Sequence, residues 1–143
     1  MNRATLSILA IFGVIGSVQA DEKAELKALN GTWNIEKAVF QGGNSTELFK
    51  TAVLKMEDGN YTVTFDGKED KGTLKIDAAK KPKQMTVSGK EGANKDKTYE
   101  TIYELDGDTL KICYALEGKE PPKEFESKAG TNTLFIVYKR AKK

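Results

Sequence analysis

Acid–base and nucleophilic chemistry in proteins most often leans on imidazole, and this chain has no histidine. His-dependent triads, Cys–His dyads and imidazole metal sites are excluded as classes. Carboxylates, lysines and tyrosines remain, but no nucleophile–base motif joins them, so the chain reads as a non-enzyme that needs no cofactor. Cys113 is the single cysteine and can form no disulfide within the chain. It alternates with Leu110, Ile112 and Tyr114, which places it on the opposite face and reads as a small covered side chain rather than a reactive thiol. Acidic residues gather at Asp66, Glu69 and Asp70 and again at Glu104, Asp106 and Asp108. A hard cation needs several such oxygens. The ligand spacing of a calcium loop is missing, and Asp-Gly pairs serve hairpin turns. No metal site is assigned.

Rarity singles out two other side chains. Trp33 is the only tryptophan, and Arg140 is the only arginine after residue 20, beside 21 lysines. A guanidinium can stack on an aromatic face and donate in a fixed fork, which an ammonium cannot do. Gly31-Thr32-Trp33 stands at the start of the first strand pattern and Arg140 at the end of the last. Gly31, Trp33 and Arg140 are therefore expected to close one end of a barrel, in a structural role. The five tyrosines all fall in strand patterns. Tyrosine offers an apolar body with a polar handle. The expected lining of a ligand site is Tyr61, Val63, Phe65, Leu74, Met85, Tyr99, Tyr103, Ile112, Tyr114, Ile136 and Tyr138. The plainer alternative is that these side chains simply fill the barrel.

The elements that would position them are mostly strands. Asp21–Leu29 is rich in helix formers, with Leu26 and Leu29 on one face and Asn30-Gly31 as its stop. From Gly31 the period changes to two. Trp33, Ile35 and Val39 share a face, with Lys37 as an exception. Ser45–Lys50 makes one helical turn. Further alternating runs follow, punctuated by Asp58-Gly59, Asp66-Gly67 and Asp106-Gly107-Asp108. Gly89–Lys97 reads as a polar, mobile loop, and Glu117–Ser127 as a loop containing Pro121-Pro122. About eight short strands with tight turns and no long helix between them give an all-β fold. The expected form is an antiparallel meander closed into a barrel, because closure removes exposed edges and eight strands leave room for side chains or one small ligand. An open sandwich is the alternative.

Gly-x-Trp at the start and Arg at the end resemble the structural signature of lipocalins and related calycin barrels. A longer stretch, Ile102-Tyr103-Glu104-Leu105-Asp106-Gly107-Asp108-Thr109-Leu110-Lys111-Ile112-Cys113-Tyr114, resembles an uncharacterised lipocalin-like domain family described from planctomycetal genomes. Pro122-Lys123-Glu124-Phe125, Leu134 to Arg140, Leu29 to Trp33, Gly72-Thr73-Leu74 and Lys81-Pro82-Lys83 fit it too. The resemblance spans nearly all of the chain after residue 20. It implies an exported lipocalin-like barrel and brings no activity with it. This chain departs from the family at Pro121, where Arg is usual before the Pro-x-x-Phe segment, so any role of that Arg is missing here.

Met1–Ala20 has the parts of a cleavable signal peptide: Arg3, the apolar run Leu6–Val18, and small residues at Val18-Gln19-Ala20. The run is shorter than the ~20 residues that span a bilayer. The expectation is an exported domain over residues 21–143, periplasmic or extracellular, with no membrane span after cleavage. The 23 basic and 21 acidic residues are interleaved, which argues against nucleic acid as a partner. The leading expectation is a binding module that takes a small hydrophobic or amphipathic ligand in or at the mouth of the barrel. The alternative is a protein-interaction module, an inhibitor or envelope accessory factor, acting through loops such as Lys90–Thr98 or Glu117–Ser127.

Overall fold

The computed structural model describes residues 22–117 and 120–142. The expected signal peptide, residues 1–20, lies outside the described residues. Helix α1 covers residues 22–29 and leads directly into strand β1, Gly31–Phe40. The remaining strands are β2 (Gly43–Asn44), β3 (Val53–Glu57), β4 (Asn60–Phe65), β5 (Lys68–Asp77), β6 (Lys83–Glu91), β7 (Thr98–Asp106), β8 (Thr109–Ala115) and β9 (Thr133–Arg140). A single helical turn, α2 (Thr46–Phe49), falls between β2 and β3.

From β3 onward every strand pairs antiparallel with the next, and β1 pairs with β9 from Trp33↔Arg140 to Phe40↔Leu134. Eight strands therefore close into a lipocalin-like barrel, with the two-residue β2 as an addition. The Asp58-Gly59 and Asp66-Gly67 turns have positive φ at both residues, as the tight type I′ hairpin requires. Among the described residues, no helix is long and apolar enough to cross a membrane.

Three local readings change. First, the face of β1 switches. Glu36 is an extra residue in the register, since Ile35 pairs with Tyr138 and Lys37 with Val137. A bulge moves the following side chains to the opposite face. Ala38, not Val39, is the buried inward residue beyond it, which accounts for Lys37 breaking the alternation. Second, β5 begins at Lys68, well before Leu74. The charged run Lys68–Lys71 has no apolar alternation, yet Val63↔Asp70 and Thr64↔Glu69 are ladder pairs. Third, the expected loop at residues 89–97 begins as strand, since β6 runs to Glu91, and the turn after it is hydrogen-bonded back to Gly89. Gly89 N–H donates to the Lys97 carbonyl at 2.8 Å and Asp96 N–H to the Gly89 carbonyl at 3.0 Å.

The two ends of the barrel differ. At one end α1 lies across the opening, and its own Leu29 is buried with Trp33, Leu110 and Tyr103 beneath it. At the other end β4 and β5 meet in the tight Asp66-Gly67 turn, and the other connections are longer: residues 41–52, 92–97 and 116–132. The described part of the third packs on the outer wall, where Phe125 meets Phe135 at 6.4 Å between ring centroids. It covers Ile102 and Cys113, both buried on the outward face of β7 and β8. Ser127 ties it down, accepting from Gln41 N–H at 2.8 Å and donating to the Thr133 carbonyl at 2.7 Å.

Candidate functional site

The closed end is built around Arg140. Its guanidinium carbon lies 4.3 Å from the centre of the Trp33 ring. Its Nη2 donates to the Ala28 carbonyl at 3.0 Å, its Nη1 to the Asn30 carbonyl, and its Nε to Asp108 Oδ1 at 3.0 Å. Ala28 and Asn30 are at the C-terminal end of α1, where carbonyls lack partners within the helix and a cation is favoured. Trp33 Nε1 donates to the Leu29 carbonyl at 3.0 Å. Gly31 has φ +137°, and a Cβ there would stand 2.9 Å from the Arg140 guanidinium. The structure thus brings Gly31, Trp33 and Arg140 together in one clasp that fastens α1 over the barrel.

Glu25 of α1 makes a second fastening. Its Oε1 accepts from Lys83 Nζ at 2.8 Å and from the Tyr103 hydroxyl at 2.9 Å. This draws Tyr103 away from the expected ligand lining. Its phenol stands under the helix with its pKa raised, first by burial and then by the bond to Glu25. Alternation alone could not reveal this, because Tyr103 does point inward but sits near the wrong end of its strand.

At the open end the barrel encloses a cavity of about 270 Å³. Tyr61, Val63, Phe65, Leu74, Met85, Tyr99, Ile112, Tyr114, Ile136 and Tyr138 line it; Tyr103 does not. Side chains outside that expectation also line it, among them Ile35, Phe49, Leu54, Asp70, Asn94 and Leu134. Phe49 arrives through a break in the wall. β3 pairs with β1 only from Gly31 to Asn34, and β2 pairs only with Val39 and Phe40. The α2 segment bridges the interval, with Ser45 N–H donating to the Ala38 carbonyl at 2.7 Å and Ala38 N–H to Thr46 Oγ1 at 3.0 Å. Phe49 then packs beside Phe65, with ring centroids 6.3 Å apart.

The polar groups of the cavity form two sets. Tyr114 and Tyr138 share a hydrogen bond of 2.8 Å between hydroxyls. Two hydroxyl protons and one mutual bond leave one donor, and spare lone pairs, outside that bond. Burial pushes the Tyr114 hydroxyl up to about 12 and holds Tyr138 well above the usual phenol range. Both stay neutral and serve as hydrogen-bonding groups.

The second set is nearer the rim. Asp70 Oδ1 accepts from Ala93 N–H at 2.6 Å and Oδ2 from Asn94 Nδ2 at 3.1 Å, while Asn94 Oδ1 accepts from the Tyr99 hydroxyl at 2.9 Å. Burial raises the Tyr61 and Tyr99 hydroxyls, and the Asp70 charge raises both further. The alternation of β5 explains why Asp70 is here: positions 70, 72, 74 and 76 share a face, and Leu74 and Ile76 are in the core. Glu69 is therefore on the other side of the sheet. The acidic cluster seen in sequence is split by the pleat.

Two mid-strand glycines shape this rim. Gly72 and Gly89 pair across β5 and β6. A Cβ on Gly89 would collide with the Asn94 carbonyl, and one on Gly72 with the Ser88 carbonyl and, at 2.8 Å, the Tyr61 hydroxyl. Glycine inside a strand marks such close approaches. The two glycines are the signal in the sequence that points to this rim. Comparison with protein families, with curated proteins and with solved structures returns no match to this chain.

Proposed function

We propose that this chain is an exported binding module that holds a small, partly apolar molecule in the mouth of its barrel. The observation that carries the reading is the cavity itself. A barrel filled by its own side chains would leave no space of about 270 Å³ at one end. The space is near the lower limit of ligand pockets, which run from about 300 Å³ upward, so a molecule the size of a substituted aromatic ring suits it. Apolar walls with a few convergent hydroxyls are the usual composition of such sites. The tyrosines are held protonated and offer orientation rather than proton abstraction, which supports binding over catalysis.

The test is titration with a solvent-sensitive apolar dye, paired with native mass spectrometry of protein purified from its own host. Dye emission should rise on binding, and a retained small molecule should appear in the spectrum. Val63→Trp, which places an indole in the cavity, should abolish dye binding while leaving the circular dichroism spectrum intact. Equal dye binding by wild type and a folded Val63→Trp would remove the cavity as the site.

A further inference from the structure

We propose that the cavity selects a cationic amphiphile, an apolar or aromatic body carrying an ammonium group, with Asp70 as the counter-charge. This rests on the reading of the cavity as a ligand site and names the chemistry of its occupant. Among the described residues, Asp70 is the only charged side chain in the cavity lining. It forms no ion pair with any lysine or arginine among the described residues, although its strand neighbours Glu69 and Lys71 pair with each other at 3.7 Å. The carboxylate is half-buried and points inward from a position where the strand pattern calls for an apolar residue.

The surroundings fix the carboxylate in place. The chain of donors from Tyr99 through Asn94 to Asp70 runs in one direction, and the Ala93 N–H adds a second bond. Two accepted bonds leave further lone pairs on the two oxygens. A half-buried carboxylate without a cation is costly to desolvate when an apolar ligand covers it, and an ammonium on that ligand removes the cost. Tyr61, Phe65 and Tyr99 line the same cavity, and aromatic rings attract cations as well. An anionic ligand meets the reverse of each term.

The experiment compares three probes of one skeleton by isothermal titration calorimetry at pH 7: 2-phenylethylamine, 2-phenylethanol and 3-phenylpropanoate. The amine should bind wild type at least tenfold more tightly than the alcohol, which is about 1.4 kcal/mol. The carboxylate should bind most weakly. In Asp70→Asn the amine should lose its lead over the alcohol. Emission from Trp33, at the far end of the barrel, checks that the variant is folded, and the wild-type ranking stands without it. An alcohol or carboxylate that binds as well as the amine overturns the cationic preference and leaves the cavity reading in place. An amine lead that survives in Asp70→Asn overturns the role of Asp70. Failure of all three probes and of the apolar dye overturns the cavity reading, and the preference with it.

Discussion

Replacing Arg140 tests whether one side chain holds the N-terminal helix on the barrel. The guanidinium makes three kinds of contact, and their sizes can be set apart. Two bonds reach carbonyls at the end of α1. A charged donor to a carbonyl contributes up to about 1.5–3 kcal/mol when shielded. The side chain is 27% exposed, so about 1 kcal/mol for each is the reasonable share. Stacking on Trp33 adds about 0.5–1 kcal/mol. Asp108 is 80% exposed and its ion pair adds little. Arg140→Ala should therefore cost about 3 kcal/mol, a large fraction of the stability of a small domain. Arg140→Lys keeps the charge but loses the planar fork and should cost about 1–2 kcal/mol. The assay is urea unfolding followed by circular dichroism, applied to wild type, Arg140→Ala, Trp33→Leu and the double variant. Stacking alone depends on the indole, so the coupling should be the smaller part of the Arg140 effect. A coupling near zero would show that the contact at 4.3 Å contributes nothing. A coupling equal to the whole Arg140→Ala effect would show that capping α1 contributes nothing.

Cys113 should resist maleimide in the folded protein, because it is buried and burial pushes its thiol up to about 11; rapid stoichiometric labelling at pH 7 would contradict this. The same shift has a stability consequence. The folded state keeps a proton that the unfolded state releases, so this contribution is intact below the ordinary thiol range and is lost as pH rises toward about 11. Alkaline unfolding curves of wild type and Cys113→Ala should diverge in that window, and parallel curves would refute the shift. Gly72→Ala should destabilise by about 1–3 kcal/mol and weaken dye binding, since the new methyl meets the Ser88 carbonyl and Tyr61; a neutral result by thermal unfolding would mean the wall yields. N-terminal sequencing of the exported protein should begin at Asp21, and an intact Met1 on the exported product would defeat the signal-peptide reading.

Periodicity made most of the barrel legible. Alternation of apolar residues and Asp-Gly turns marks β3, β4, β7, β8 and β9, and ten of the eleven expected lining residues reach the cavity because an inward face is a local property of a strand. Position along the barrel axis is not local. Tyr103 and Tyr114 both face inward, yet one meets Glu25 under α1 and the other Tyr138 in the cavity. Depth depends on the stagger between strands, which single-strand patterns do not carry. Glu36 hid the turn of β1 because a bulge adds one residue without any composition signal. Asp70 was hidden by its neighbours, since Lys68 to Lys71 looks solvated on both faces until Val63 is paired with it.

Closure by β9 also sets an order of events during synthesis. β1 is made first, yet its partner along seven ladder pairs is the last strand of the chain. Contacts so distant in sequence carry a large loop-closure cost and form late. Until residue 140 is available, α1 has no guanidinium at its carbonyls and one edge of β1 is open to pairing with another molecule. A nascent or truncated chain ending before β9 is consequently the aggregation-prone form of this protein. Arrival of Arg140 completes the hydrogen-bonded wall and fastens the leading helix in the same step.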